Sequence, residues 1–218
     1  MFDAAICDWD GTLADTRKAI DVSFHKALQE IGLDVPTEYI ERRIGIGAAD
    51  TFREILQAQK GTVDEKVVEQ LVDRKSQLQT ELAGEVSLFE GARELLEALQ
   101  GKVKLGLASM NNRGVIVNLL QEKHLEECFE VVLTVESVTK SKPNPEIFLK
   151  TAEALGVRSD RCVVLEDSIF GVEAAKAGGM ACIAVTTGVY NAEELAAAIT
   201  DLIVQTLRDP RVVKFVLR

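Results

Sequence analysis

The stretch from Asp8 to Thr16 contains acidic side chains whose spacing could bind a metal ion. It follows a short apolar run, residues 2–7, which predicts a buried strand. Asp8 and Asp10 are two residues apart, so both side chains lie on the same side of an extended backbone. Two carboxylates at this separation repel each other unless a cation or a shared proton lies between them. The spacing therefore predicts a divalent metal site at the end of the first strand.

Further polar side chains occur shortly after other predicted strands. They are Ser109, Lys142, Glu166 and Asp167, which follow strands predicted over 103–108, 131–135 and 162–165. Ligands bind to an open parallel sheet at the carboxyl ends of its strands, so we expect these side chains to meet Asp8 and Asp10 there. Lys142 follows its strand by several residues, and a loop must bring it back to that edge.

Carboxylates dominate this predicted meeting point. Asp8, Glu166 and Asp167, with the backbone oxygen near Asp10, offer the hard oxygen ligands that bind Mg²⁺. These residue types predict Mg²⁺ as the cofactor.

The other polar groups suit a phosphate. Ser109 ends a strand and precedes a helix, so its hydroxyl and the free backbone N–H groups beside it, near Asn111, are donors for phosphate oxygens. Lys142 can neutralise both a phosphate and the carboxylate that attacks it. Phosphoryl transfer depends mainly on positioning and charge neutralisation, and an aspartate nucleophile is an established route. The set therefore indicates phosphoryl-transfer chemistry.

The elements that position these residues differ in the two parts of the chain. Residues 16–84 show apolar side chains at helical spacing, which predicts about four helices and no strand. Thr62 and Glu65 have the form of a capping box at the start of the longest helix. Beyond Gly84 strands and helices alternate, which is typical of a parallel sheet covered on both faces. The last residues, 201–218, predict a short strand and a helix.

The predicted fold class is therefore α/β, with a Rossmann-like parallel-sheet core and an inserted all-helical four-helix bundle. The core comprises residues 1–15 and 85–218, and the insertion comprises residues 16–84. The chain crosses between the two parts on either side of the insertion, where we expect hinges.

Composition limits the classes of partner. The 218 residues are 47% hydrophobic and 28% charged, as in a soluble globular protein, and no apolar run reaches the ~20 residues that cross a bilayer. A net charge of −10 argues against binding to nucleic acid or to an anionic membrane. The N-terminus lacks a signal-peptide pattern and the four cysteines are widely spaced, so we expect a cytoplasmic protein with reduced thiols. The oligomeric state is open between monomer and dimer.

Four segments resemble, in order, the four motifs of the haloacid dehalogenase-like (HAD) superfamily. They are residues 8–16, 107–109, 141–148 and 165–171. The chain looks like the branch that holds phosphoglycolate phosphatase and β-phosphoglucomutase, whose members insert a four-helix cap after the first strand. The resemblance extends to about residue 207.

The resemblance implies a role for each matching residue. Asp8 would be the nucleophile, and Asp10 the acid that protonates the leaving group and then activates water. Mg²⁺ would bind Asp8, the Asp10 carbonyl and Asp167, with Glu166 binding directly or through water. The phosphoryl group would contact Ser109 and Lys142. Dehalogenases and phosphonatases of the superfamily lack an acid at the position of Asp10, so its presence implies phosphate-ester chemistry.

Substrate choice would come from the cap. The loop around Gly45 and Gly47 is the part expected to reach the site, since glycines let the backbone approach a ligand closely. Arg43 flanks this loop and is a candidate contact for an anionic substrate, although a solvated arginine explains it equally well. The predicted substrate-binding residues are thus Ser109, Asn111, Lys142, Gly45, Gly47 and Arg43.

Three functions are compatible with this sequence. The first is a Mg²⁺-dependent phosphatase that acts on a small phosphorylated metabolite, similar to phosphoglycolate phosphatase. The second is a β-phosphoglucomutase-like phosphotransferase, against which Ile20 counts, because mutases carry a His four residues after their equivalent of Thr16. The third is a non-catalytic phosphate- or metal-sensing module on the same fold, against which the intact acid/base residue and cap count.

Overall fold

The computed structural model describes all residues, 1–218, and contains eight strands and ten α-helices. The strands are β1 Ala4–Cys7, β2 Ala14–Asp15, β3 Ser87–Leu88, β4 Lys104–Ala108, β5 Val131–Leu133, β6 Cys162–Glu166, β7 Ala181–Val185 and β8 Leu202–Val204. The helices are α1 Arg17–Gln29, α2 Thr37–Glu41, α3 Ala48–Lys60, α4 Glu65–Glu81, α5 Ala92–Leu99, α6 Arg113–Lys123, α7 Glu146–Leu155, α8 Ile169–Ala177, α9 Ala192–Ala197 and α10 Pro210–Leu217.

Six parallel strands form the central sheet, in the order β5-β4-β1-β6-β7-β8. The first strand lies in its middle, where Ala4 is in register with Lys104 on one side and with Cys162 on the other. All four residues of β1 are fully buried, because parallel sheets carry helices on both faces. This architecture confirms the predicted α/β fold with a Rossmann-like parallel sheet.

Side chains of β1 alternate between two apolar cores. Ala5 and Cys7 belong to the larger core, which packs against α5, α6 and α10, whereas Ala4 and Ile6 belong to the core beneath α7 and α8. A period of two residues separates the faces of a strand, so β1 anchors both layers. The backbone that carries Asp8 is thus held from both sides.

The chain between β2 and β3 is helical, as predicted, and contains α1 to α4. Its apolar side chains, from Ile20 to Leu71, form a core of their own. A two-stranded antiparallel ribbon of β2 and β3, with Ala14 opposite Leu88, marks the place where the chain leaves and rejoins the sheet region. The division at residues 16–84 and the regular four-helix bundle stay predictions.

The predicted capping box at the start of α4 is wrong. Asp64 is the N-cap residue, and its side chain accepts a hydrogen bond from the backbone N–H of Lys66 at 2.9 Å. An aspartate two positions nearer the helix replaces the threonine, since Asp is as good an N-cap residue as Thr. The last segment forms β8 and α10, as expected. No helix of the structure combines the length and the apolar character that a membrane crossing requires.

Candidate active site

The polar residues predicted from the sequence meet at the carboxyl ends of β1, β4 and β6. All of them are buried: Asp8, Asp10, Ser109, Asn111, Lys142, Glu166 and Asp167 are between 0% and 7% exposed. Parallel pairing of β1 with β4 and β6 brings these strand ends together, so residues more than a hundred positions apart become neighbours. Burial of so many charges at one sheet edge is costly unless they are paired or bind a cation.

Three carboxylates form one cluster. Oxygen atoms of Asp8, Glu166 and Asp167 all lie within 4.8 Å of one another. Burial and mutual repulsion raise the pKa of Asp8 and of Asp167 well above their usual range. A hydrogen bond from the Thr12 hydroxyl, 2.9 Å from Oδ1 of Asp167, orients one member. This cluster of carboxylate oxygens fits a hard divalent cation such as Mg²⁺.

Two glycines allow the backbone to approach this cluster. A Cβ atom at Gly11 would come within 2.2 Å of Oδ2 of Asp167, and one at Gly188 within 1.9 Å of the same atom. Gly11 also has a φ of 87°, in the left-handed region that glycine tolerates. Asp167 is therefore enclosed by backbone on two sides.

Lys142 is the cation of the cluster. Its Nζ lies 2.6 Å from Oδ1 of Asp8 and 2.7 Å from Oε1 of Glu166, and its side chain is fully buried. Burial favours the neutral amine, but the two carboxylates outweigh burial and raise the pKa of Lys142 above its usual value. One ammonium faces three carboxylates, and this imbalance is the electrostatic reason to expect a further cation.

Glu166 is held at both of its oxygens. Oε1 accepts from Lys142, whereas Oε2 accepts from the N–H groups of Asp167 and Ser168 and from the Ser168 hydroxyl, each at 2.9 Å. Ser168 also caps α8, since its Oγ accepts from the N–H of Gly171 at 3.1 Å. Glu166 is thus fixed to the first turn of a helix.

Asp10 faces a different set of groups. The Ser109 hydroxyl donates to its Oδ2 at 3.2 Å, and Nδ2 of Asn111 lies 3.3 Å from each of its oxygens. Its carboxylate is not part of the three-carboxylate cluster. The two aspartates of the first motif therefore have different hydrogen-bond partners, Lys142 for Asp8 and Ser109 with Asn111 for Asp10.

Lys75 is a site residue that the sequence reasoning missed. It lies in α4, is 3% exposed, and donates through Nζ to Oδ1 of Asn111 at 3.2 Å and to Oε1 of Gln79. Burial lowers the pKa of Lys75 to about 8, although the charge of Asp10 opposes the shift. The available signal was periodicity, since Lys75 follows the buried Leu71 by four residues and falls on the apolar face of the helix.

The glycine loop of the helical segment reaches the site, as predicted. Gly45 and Gly47 have φ values of 108° and 100°, and a Cβ atom at Gly45 would lie 3.0 Å from the Ser168 hydroxyl. Arg43 lines the cavity between the helical segment and the two aspartates of the first motif. Its Nε is 2.6 Å from Glu54, and its guanidinium stacks on Tyr39 at 3.5 Å from the ring centroid. The charge of Arg43 is thus already paired within the helical segment.

A cavity of about 30 Å³ separates the helical segment from Asp8 and Asp10. A water needs roughly 10–15 Å³ by this measure, so the cavity holds about two waters. On the helical side its wall contains the apolar Ile20, Phe24 and Ile40 and the polar Arg43, Thr51 and Lys75.

Comparison with known proteins gives one matching family and several relatives of known name. The family described as haloacid dehalogenase-like hydrolase matches residues 5–185. A phosphorylated carbohydrates phosphatase of Thermotoga maritima is 32% identical over 182 residues, which cover 82% of each chain. The chloroplastic 5-amino-6-(5-phospho-D-ribitylamino)uracil phosphatase of Arabidopsis thaliana is 30% identical over 93% of this chain, which spans about half (54%) of that protein's length.

Among solved structures, a mutant CbbY of Rhodobacter sphaeroides in complex with xylulose-(1,5)bisphosphate superposes with a TM-score of 0.84. The two chains are 26% identical, and the superposition covers 96% of each. The likeness therefore includes the helical segment as well as the sheet.

Proposed function

Because this chain belongs to the haloacid dehalogenase-like hydrolase family and is a phosphoric monoester hydrolase, we propose that it is a cytoplasmic, Mg²⁺-dependent phosphatase of a small phosphorylated metabolite. The proposed route is an aspartyl-phosphate on Asp8. The observation that carries the proposal is the contact of Lys142 with Asp8 within the carboxylate cluster, while Asp10 accepts hydrogen bonds from Ser109 and Asn111.

In the first step an oxygen of Asp8 attacks phosphorus, and the bond from phosphorus to the leaving-group oxygen breaks. Lys142 neutralises negative charge on Asp8 and on the phosphoryl oxygens as they approach each other. Ser109 and Asn111 offer further donors to the phosphoryl group from the start of α6. Asp10 gives its proton to the leaving oxygen, which departs as an alcohol.

In the second step water attacks the same phosphorus atom. Asp10, now a carboxylate, accepts the proton of that water, and the bond between phosphorus and Asp8 breaks to release inorganic phosphate. Asp8 and Asp10 return to their starting states. The hydrogen bonds from Nδ2 of Asn111 keep the Asp10 carboxylate in reach of both oxygens.

Asp8, Asp167 and the backbone carbonyl of Asp10 are the proposed Mg²⁺ ligands. Both oxygens of Glu166 already accept hydrogen bonds, which supports a contact of Glu166 to the metal through water. When bound, Mg²⁺ would supply neutralisation of the phosphoryl oxygens and of the attacking carboxylate.

The helical segment, residues 16–84, is the proposed cap, and its wall favours hydrolysis over transfer to a sugar. Each hydroxyl of a bound sugar needs a hydrogen-bond partner when it leaves water. Ile20, Phe24 and Ile40 offer none, which leaves Arg43, Thr51 and Lys75 as the polar side chains of this wall, and Ile20 stands where mutases carry a His. This wall supports a phosphatase with a small leaving group.

Lys75 supports a leaving group with an oxygen-bearing end. Its hydrogen-bond partners, Gln79 and Asn111, are uncharged, so its ammonium remains available to a carboxylate or hydroxyl in the cavity. A phosphoglycolate-like ester has this shape, and the relatives are named as phosphatases of a phosphoribitylamino-uracil and of phosphorylated carbohydrates. We place phosphoglycolate first and small sugar phosphates second.

A panel of phosphate monoesters tests the proposal. Phosphate release is measured with Mg²⁺ for phosphoglycolate and for sugar phosphates of increasing size, with and without a sugar bisphosphate. We expect turnover without the bisphosphate, and no turnover by Asp8→Asn, because an amide is a poor nucleophile. Asp160→Asn, an exposed aspartate far from the site, is the matched control. Turnover that requires the bisphosphate would establish the phosphotransferase instead.

A further inference from the structure

Three contacts join the residue that follows α2 to the first turn of α9 and the loop before it. Nη2 of Arg42 lies 2.6 Å from Oε1 of Glu194, and the Tyr190 hydroxyl donates to the backbone oxygen of Arg42 at 2.6 Å. The Arg42 guanidinium also lies over the Tyr190 ring, 4.7 Å from its centroid. We call these three residues the Arg42 latch. The latch connects the helical segment to the sheet region and contacts none of the proposed catalytic residues.

The sheet side of the latch is rigid. Tyr190 is 4% exposed and packs edge-on against Phe170 at 6.3 Å between ring centroids. Glu194 accepts a second hydrogen bond from the N–H of Asn191 at 2.9 Å, in a capping box that starts α9. Neither side chain is free to follow Arg42 if the helical segment moves away.

The helical segment closes the site to solvent. Asp8 and Asp10 are 3% and 7% exposed, so a phosphate ester in solution does not reach them in the closed arrangement. Substrate entry and phosphate release therefore require the helical segment to move. Arg42 lies three residues before Gly45, so a movement that lifts the glycine loop away from Ser168 pulls directly on the latch.

We propose that the Arg42 latch holds the helical segment closed and sets the rate at which ligands enter and leave the site. This inference rests on the proposed function only in taking the ligand to carry a phosphate. The latch forms between two parts of the protein and touches no ligand, so it stabilises the closed state equally with and without ligand. Weakening it should raise ligand association and dissociation by the same factor and leave Kd unchanged.

The size of the effect follows from exposure of the ion pair. The side chains of Arg42 and Glu194 are 41% and 29% exposed, and ion pairs of this kind are weak. Glu194→Gln should therefore increase the open fraction about two- to fivefold. Tyr190→Phe removes the hydroxyl donor but keeps the ring, and should act in the same direction.

Hydrogen exchange of the free protein is the primary test, since it needs no ligand. We expect backbone amides of residues 44–47 to exchange about two- to fivefold faster in Glu194→Gln and in Tyr190→Phe than in the wild type. Asp160→Asn, which breaks an exposed ion pair with Arg158, is the matched control and should change nothing there. Unchanged exchange in both latch variants, with unchanged melting temperatures, would overturn the proposal.

Binding of inorganic phosphate in the presence of Mg²⁺ is the second test. Trp9, the single tryptophan, lies between Asp8 and Asp10 in sequence and provides a fluorescence signal for stopped-flow measurements. Equal increases in the association and dissociation rate constants support the latch, whereas a changed Kd with an unchanged association rate contradicts it. Faster exchange together with a complete lack of phosphate binding would support the latch and count against the proposed function.

Discussion

The ammonium of Lys142 lies 2.6 Å from Oδ1 of Asp8, although 134 residues separate them in sequence. Both groups are buried. Removal of either partner would therefore leave the other as an unpaired charge in the protein interior, which is strongly destabilising. Lys142 also contacts Glu166, and its removal would leave two carboxylates without their cation. The same contact thus serves stability and the proposed chemistry.

Lys142→Met should reduce both activity and stability. Loss of a charge aimed at the transferring group lowers kcat by roughly 10²–10³-fold. Breaking a buried ion pair costs about 3–5 kcal/mol of unfolding free energy. Steady-state kinetics and urea denaturation measure the two effects. Lys150→Met, which breaks an exposed pair with Glu146, is the control and should leave kcat unaltered. A kcat within twofold of wild type would rule out the assigned role of Lys142.

Asp10→Asn should lower kcat by about 10²–10⁴-fold without loss of the fold, since the amide cannot transfer the proton. The phosphorylation step should be less affected for an aryl phosphate, because a good leaving group needs little protonation. Rapid-quench measurements of phospho-enzyme formation with an alkyl and an aryl ester separate these cases. Equal losses for both esters would contradict the acid role of Asp10.

Metal and pH should act together on stability. Burial raises the pKa of Asp8 and Asp167. A raised folded-state pKa gives stability that is present below the unfolded value, near ~3.9, and is lost as pH rises through the folded value. The metal-free protein should therefore lose stability as the pH rises from about 4 towards neutrality.

Mg²⁺ binds the deprotonated carboxylates, so the melting-temperature gain from Mg²⁺ should be larger at pH 8 than at pH 5. Thermal denaturation with Mg²⁺ or with EDTA provides the comparison. Asp167→Asn should reduce the gain and its pH dependence. A gain from Mg²⁺ that is the same at both pH values would argue against a carboxylate site with raised pKa values.

Lys75→Met should remove a rise of stability at alkaline pH. The pKa of Lys75 is lowered from 10.5 to about 8, so the folded state binds fewer protons than the unfolded state between these values. Stability then increases as pH rises from about 8 to 10.5, by about 3 kcal/mol at roughly 1.4 kcal/mol per pH unit. Urea denaturation at several pH values measures the slope.

Lys66→Met, an exposed position on the same helix, should keep the slope. We also expect Lys75→Met to raise KM for phosphoglycolate about tenfold, from loss of a charged hydrogen bond. An unchanged slope and an unchanged KM would show that Lys75 is only a packing residue.

The sequence predicts the sheet and the catalytic edge because their signals are local. A buried run followed by acids, as in Asp8 and Asp167, indicates both a strand and the end at which its side chains emerge. Strand order then brings the ends together, and that order follows from the preference for parallel pairing. The two-residue strands β2 and β3 gave no such signal, since a period of two cannot be seen in so short a run.

Residues of the helical segment could not be assigned from sequence for a different reason. Lys75 and Lys66 lie on one helix; periodicity places Lys75 on its apolar face, but only the packing of the helix shows that this face brings Lys75 to Asn111. Arg43 looked available to a substrate, but Glu54 and Tyr39 engage it. Such differences depend on how helices are rotated against the sheet, and helical periodicity fixes that rotation only approximately.

The central position of β1 has a consequence for synthesis of the protein. A chain leaves the ribosome from its N-terminus, so β1, followed by Asp8 and Asp10, emerges before the other strands of the central sheet. The neighbours of β1 in the sheet begin at Lys104 and Cys162, so more than a hundred further residues must be translated before both are available. Helices α1 to α4 have an apolar core of their own, so they can fold before β1 has paired with β4 and β6. The nascent protein can thus form its helical segment before the polar edge of its sheet, which is complete only once β6 has been translated.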